Sequence, residues 1–128
     1  MSKPSVLIVD DDNLMRTLLR AILRDEGYRV LGEAKDGESG LEACAQLKPG
    51  VVCLDVNMPG MSGLDALKAL RERHPEVIVV MITADSTMGT VREAVSLGAS
   101  GYLIKPFTPK RVADALRSAI QSASETFG

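Results

Sequence analysis

Three consecutive aspartates, Asp10, Asp11 and Asp12, follow the apolar run Val6 to Val9, and a fourth carboxylate, Asp55, follows the run Val51 to Leu54. Thr83 and Lys105 close two further apolar runs in the same way. One aspartate is enough to cap a helix, and Asp12 is placed to do so for a helix beginning near Asn13. Asp10 and Asp11 beside it repel one another unless a cation is present, and with Asp55 they make a set of hard oxygen ligands. A set this small suits magnesium, with manganese as a substitute, whereas calcium would want more ligands and the DxDxDG loop of an EF-hand is absent. A carboxylate beside such a cation is a competent nucleophile toward phosphorus, which makes Asp55 a candidate phosphoryl acceptor. Transfer also needs charge stabilisation on the phosphoryl oxygens, for which Thr83 offers a hydroxyl and Lys105 an ammonium aimed by the turn at Pro106. Taken singly each has a plainer role: Asp55 a turn residue before the Pro- and Gly-containing segment 56–63, Thr83 a strand former, Lys105 a surface cation.

The elements that must position these residues are legible as apolar runs. Val6–Val9, Tyr28–Gly32, Val51–Leu54, Val77–Ile82 and Tyr102–Ile104 read as five strands, and their lack of alternation implies burial on both faces. Between them lie helical periods. Leu14, Leu18, Ala21 and Ile22 share a face with Arg16, Arg20 and Arg24 opposite, and Gly27 suits the stop. Later helices follow from Leu41, Cys44 and Ala45, from Leu64, Leu67 and Leu70, from Val91, Ala94 and Val95, and from Val112, Leu116, Ala119, Ile120 and Ala123. The pattern is (βα)5, an α/β doubly wound three-layer sandwich with a parallel sheet. Ligands of such sheets bind beyond the carboxyl ends of the strands, where Asp10, Asp11, Asp55, Thr83 and Lys105 all fall. Ser122 to Gly128 lose the pattern and are expected to fray.

With 128 residues, 45% of them apolar and 25% charged, the chain has the size and balance of one globular domain. A formal charge of −2 leaves no general positive excess for nucleic acid or an anionic membrane. The opening MSKPSVLIVD lacks a secretory signal pattern and no apolar stretch reaches spanning length, so a cytoplasmic location is expected. Cys44 and Cys53 read as reduced, buried thiols. With His74 as the sole histidine, no Cys/His metal cluster or catalytic triad can be assembled.

Asp10-Asp11 after a strand, Asp55 followed by Asn57-Met58-Pro59-Gly60-Met61-Ser62-Gly63, then Thr83-Ala84 and Lys105-Pro106-Phe107, closely resemble the receiver domains of bacterial two-component response regulators. The resemblance spans nearly the whole chain and implies a flavodoxin-like sheet of order 2-1-3-4-5. It further implies Asp55 as phosphoacceptor, Asp11 and Asp55 as direct Mg2+ ligands, Asp10 acting through a bound water, and Asn57 offering its backbone carbonyl. Lys105 would pair with the phosphoryl oxygens, Thr83 would swing toward them, and Tyr102 would turn inward as the switch is thrown. On residue type alone Tyr102 is a half-buried aromatic at a sheet edge. Asn57 and Asp85, two residues beyond Asp55 and Thr83, would tune the lifetime of the acyl phosphate.

The resemblance also implies a sensor histidine kinase as phosphodonor, an output protein on the face of the fourth helix, fifth strand and fifth helix (Val91, Tyr102, Lys110 and Arg111), a phosphatase, and a monomer that dimerises on phosphorylation. The chain would catalyse only its own phosphorylation and dephosphorylation. Residues 1–124 form the receiver domain and 125–128 a tail or linker stub. Segment 105–112 resembles single-domain chemotaxis regulators; the alternative is a receiver cut from a transcriptional regulator or hybrid kinase. A haloacid dehalogenase-like phosphatase would share Asp10-x-Asp12, Thr83 and Lys105, but a further acidic ligand after the lysine and a cap domain are missing. A flavin-binding relative would need a Ser/Thr/Gly-rich phosphate loop where this chain has three aspartates.

Overall fold

The computed structural model describes residues 3–127, with side chains to 123. Five strands alternate with five helices: β1 (Ser5–Val9), α1 (Asn13–Asp25), β2 (Arg29–Ala34), α2 (Gly37–Leu47), β3 (Val51–Leu54), α3 (Gly63–Arg73), β4 (Ile78–Thr83), α4 (Met88–Ser96), β5 (Gly101–Ile104) and α5 (Pro109–Phe127). All pairings are parallel, in the order β2-β1-β3-β4-β5.

Successive strand side chains point to opposite faces, so each uninterrupted apolar run feeds two cores. Val6, Ile8, Val51, Cys53, Val80, Ile82 and Leu103 face one side, where α1 and α5 cover them with Leu19, Leu23, Val112 and Leu116. Leu7, Val9, Val52, Leu54, Val79 and Met81 face the other, under Leu41 and Cys44 of α2, Leu67 and Leu70 of α3, and Ala94 of α4. Cys44 and Cys53 thus lie in different cores on opposite sides of the sheet, and both thiols are free. Burial pushes the Cys53 thiol up to about 12, which keeps it protonated and unreactive.

Helix α1 is rotated from the orientation expected from its period. Leu19, Ile22 and Leu23 are buried, whereas Leu14, Leu18 and Ala21 are exposed. Two apolar stripes overlap on this helix and share Ile22; the sheet takes the one that includes Leu19 and Leu23. The same correction applies to Ala45 and Val95, which point outward beside buried Cys44 and Ala94. Helix α5 runs on past Ser122, where the apolar pattern is lost, to Phe127, and residue 128 lies outside the described residues. Among the described residues, no helix is long and apolar enough to cross a membrane.

Asp12 caps α1 as anticipated, its Oδ1 accepting from the backbone N–H of Leu14 at 2.9 Å and of Met15 at 3.3 Å. Gly27, at φ +90°, follows the helix where only a left-handed residue turns the chain into β2 without a Cβ penalty.

Candidate functional site

Sheet order and register bring the expected residues together. Val9 pairs with Leu54, so Asp10 and Asp55 are the next residues of adjacent central strands, tied by Asp55 N–H donating to the Val9 carbonyl at 3.0 Å. Thr83 closes β4 on the other side of β3, opposite Ile104, and Lys105 N–H donates to the Thr83 carbonyl at 2.8 Å. Lys105 must then reach across β4, one inter-strand spacing of about 4.8 Å for each strand crossed, which demands a long side chain. The Lys105–Pro106 peptide is cis.

Carboxylate oxygens of Asp10, Asp11 and Asp55 lie within 4.8 Å of one another. Lys105 Nζ stands 2.7 Å from Asp10 Oδ2 and 3.2 Å from Asp55 Oδ2, so one cation serves two buried acids. The second Asp10 oxygen, Oδ1, accepts from the Asp12 N–H at 2.9 Å. Burial raises the Asp10 carboxyl above its usual range even though Lys105 opposes the shift. Burial also pulls on Lys105, but its hydrogen bond to Asp10 and the charge of Asp55 outweigh this and hold the ammonium above its ordinary value. The two directions agree physically: Asp10 is the more deeply buried partner, so the desolvation cost falls on the acid.

The arrangement fits a divalent cation on its donor chemistry. Both Asp10 oxygens have protein partners, whereas exposed Asp11 has no hydrogen bond among the described residues and Asp55 Oδ1 accepts only a long 3.4 Å bond from the Asn57 N–H. Hard oxygens with free lone pairs therefore remain on Asp11 and Asp55, a partial shell of the kind Mg2+ completes with water and phosphate.

The remaining expected residues are at hand but differently engaged. Thr83 is fully buried, its Oγ1 accepting from the Asp85 N–H at 3.2 Å. Asp85 is occupied in the loop before α4: its Oδ1 accepts from Thr87 N–H at 2.9 Å and its Oδ2 from the Thr90 hydroxyl at 3.3 Å, bonds that lower its pKa. Tyr102, half-buried on edge strand β5, donates its hydroxyl to the Asp85 carbonyl at 2.6 Å. The Thr83–Asp85–Tyr102 chain thus links the end of β4 to β5 through the loop that starts α4. The Asn57 side chain is exposed beside the site.

Two sets of residues escaped the sequence reading. Gly63 opens α3 against the backbone of Asp55 and Val56, its N–H donating to the Val56 carbonyl at 2.7 Å. A Cβ there would lie 2.6 Å from Val56 Cα and still closer to the Asp55 carbonyl oxygen. Arg16, assigned to a solvated face, is instead folded inward against Glu33 of β2 and the Asp10 carbonyl. The available signal was Glu33 itself, an acid inside the strand next to β1.

Comparison with known proteins agrees with this geometry. A family model for the response regulator receiver domain matches residues 6–117. The chemotaxis protein CheY of Thermotoga maritima is 40% identical over 111 residues, 87% of this chain and 92% of that protein. The crystal structure of Vibrio cholerae chemotaxis protein CheY4 superposes with a TM-score of 0.85 at 32% identity, covering 93% of this chain and 98% of the other. The CheX-CheY-BeF3-Mg2+ complex of Borrelia burgdorferi gives 0.87 at 28% identity, covering 93% and 90%.

Proposed function

The chain belongs to the response regulator receiver domain family, and from that premise we propose that it is a phosphorylation-activated switch whose acceptor is Asp55. The observation that carries the proposal is Lys105 bridging Asp10 and Asp55 inside a carboxylate cluster open at Asp11. Asp11 and Asp55 would hold Mg2+ directly, Asp10 through water, and Asn57 through its backbone carbonyl. When bound, the ion would neutralise charge on the acids and on the incoming phosphoryl group.

An Asp55 carboxylate oxygen attacks phosphorus, the bond from phosphorus to the donor nitrogen of a phosphohistidine breaks, and the donor leaves with that electron pair. Lys105, freed from Asp55, pairs with a phosphoryl oxygen, and the Thr83 hydroxyl donates to another. Movement of Thr83 disturbs its bond with the Asp85 N–H, and through Asp85 the hold on Tyr102. Water attacking phosphorus later breaks its bond to the Asp55 oxygen, which releases inorganic phosphate and restores the carboxylate, with Asn57 and Asp85 controlling the approach of that water; the chain turns over no other substrate.

The phosphoryl group would come from a sensor histidine kinase, and Leu14 and Leu18, exposed on α1, support a docking face there. Output would pass through a protein bound to α4, β5 and α5, where outward Met88 and Val95 flank Val91 in an apolar stripe. Similarity over nearly the full length of chemotaxis CheY supports a chemotaxis output, in the cytoplasm. Incubation with a small-molecule phosphodonor should add one phosphoryl mass in Mg2+ or Mn2+ and none after chelation. Equal labelling in both conditions would remove the cation from the mechanism.

A further inference from the structure

The Asp10 carbonyl sits where the sheet runs out. The Asp10 N–H makes the last rung with β2, donating to the Ala34 carbonyl at 3.0 Å, and β2 ends there. The carbonyl beyond it has no strand to accept from, and a buried carbonyl needs a donor. Arg16 supplies it. Its Nη1 donates to the Asp10 carbonyl at 2.6 Å, its Nε to Glu33 Oε1 at 3.1 Å, and its Nη2 to Asn13 Oδ1 at 3.1 Å. Arg20 Nε lies 2.9 Å from the other Glu33 oxygen and pairs with it by charge. One guanidinium thereby ties the end of β1, the start of α1 and the end of β2 together, and its side chain is only 15% exposed.

A peptide unit is planar, so holding the Asp10 carbonyl also fixes the N–H and Cα of Asp11. Asp11 is the member of the acidic cluster with no hydrogen bond of its own to orient it. We propose that Arg16, anchored by Glu33, is a positioning residue that sets Asp11 for cation binding. The inference rests on the cluster holding a divalent cation, as argued above.

Charge and geometry predict opposite signs, which makes the test decisive. As a mere charge near the cluster, Arg16 repels a cation, so neutralising it would tighten Mg2+ binding. As a positioning group it is needed, and an ammonium cannot reproduce a fork that serves three acceptors at once. The measurement is Mg2+ titration of the full chain followed by backbone amide NMR, with thermal midpoints read alongside. Arg16→Lys, which keeps the charge, should weaken Mg2+ affinity by roughly tenfold, as loss of an outer-sphere orienting group does, and should shift the Asp11 amide resonance before any metal is added. Arg16→Gln should weaken it as well. Arg24→Lys, an exposed change on the same helix that touches neither Glu33 nor the Asp10 carbonyl, should leave affinity unchanged whatever it does to the midpoint. If Arg16→Lys proves unfolded, Glu33→Gln, which loosens the anchor but keeps its shape, must weaken affinity to a smaller degree. Unchanged affinity in Arg16→Lys, or tighter binding in Arg16→Gln, overturns the inference alone. A wild-type chain that binds no Mg2+ overturns the cation reading with it.

Discussion

Gly63→Ala is expected to destabilise the chain by about 3 kcal/mol, the upper part of the range for overpacking, because the obstacle is backbone. The added methyl would meet Val56 Cα at 2.6 Å and the Asp55 carbonyl oxygen closer still, and neither can rotate away as a side chain would. Relief requires moving α3 from the end of β3, which displaces Asp55 and breaks the bond from Gly63 N–H to the Val56 carbonyl. Denaturant melts should show the loss, with phosphoryl acceptance falling in the fraction that remains folded. Gly89→Ala is the counter-case. Nothing lies within 4 Å of its Cβ position in α4, so alanine there should stabilise by about 0.5 kcal/mol through helix propensity and a less disordered unfolded chain. A Gly63→Ala variant as stable as wild type would mean that α3 is not held against the Asp55 backbone.

Lys105→Met should cost roughly 3 kcal/mol near neutral pH, since removing one partner of a buried ion pair strands the other. Here two carboxylates are stranded, Asp10 and Asp55, whose side chains are 2% and 8% exposed. Methionine keeps the length of the side chain, which isolates the charge from the packing. The deficit should depend on pH in a definite direction. Without the ammonium the Asp10 carboxyl, already raised by burial, binds its proton more readily still, so the loss is greatest above the carboxylate range and shrinks as pH falls toward about 4, where a protonated acid needs no counter-charge. In the wild type, the raised Lys105 pKa gives stability that is complete below the ordinary lysine value and is lost as pH climbs through the raised one. Mg2+ should also stabilise Lys105→Met more than it does the wild type. Urea titrations at about pH 4, near neutrality and in the alkaline range where the lysine titrates, with and without Mg2+, read all three effects, and a deficit independent of pH would contradict them.

Much of the site was readable because strand ends advertise themselves. A run such as Val6–Val9 must stop where it meets Asp10, and in a parallel sheet all such stops fall on one edge, so Asp10, Asp11, Asp55, Thr83 and Lys105 could be placed together from sequence. What stayed hidden depends on partners distant in sequence. Arg16 lies one turn into a helix whose period allowed two apolar faces, and the choice between them was made by the sheet. Its inward fold is explained by Glu33, seventeen residues on, across the turn into β2. Gly63 was visible as a loop glycine, but its reason is the passing Asp55 backbone rather than its own dihedrals, and no local signal reports such a contact. Asp85 illustrates the reverse: its position relative to Thr83 pointed to the chemistry, while its carboxylate is engaged in starting α4.

The assignment of Asp55 as the acceptor is tested most directly by intact mass measurement of wild type and Asp55→Asn after incubation with a small phosphodonor and Mg2+. One phosphoryl adduct on the wild type and none on Asp55→Asn is the predicted result. An unlabelled wild type, or an adduct of equal extent on Asp55→Asn, would contradict it.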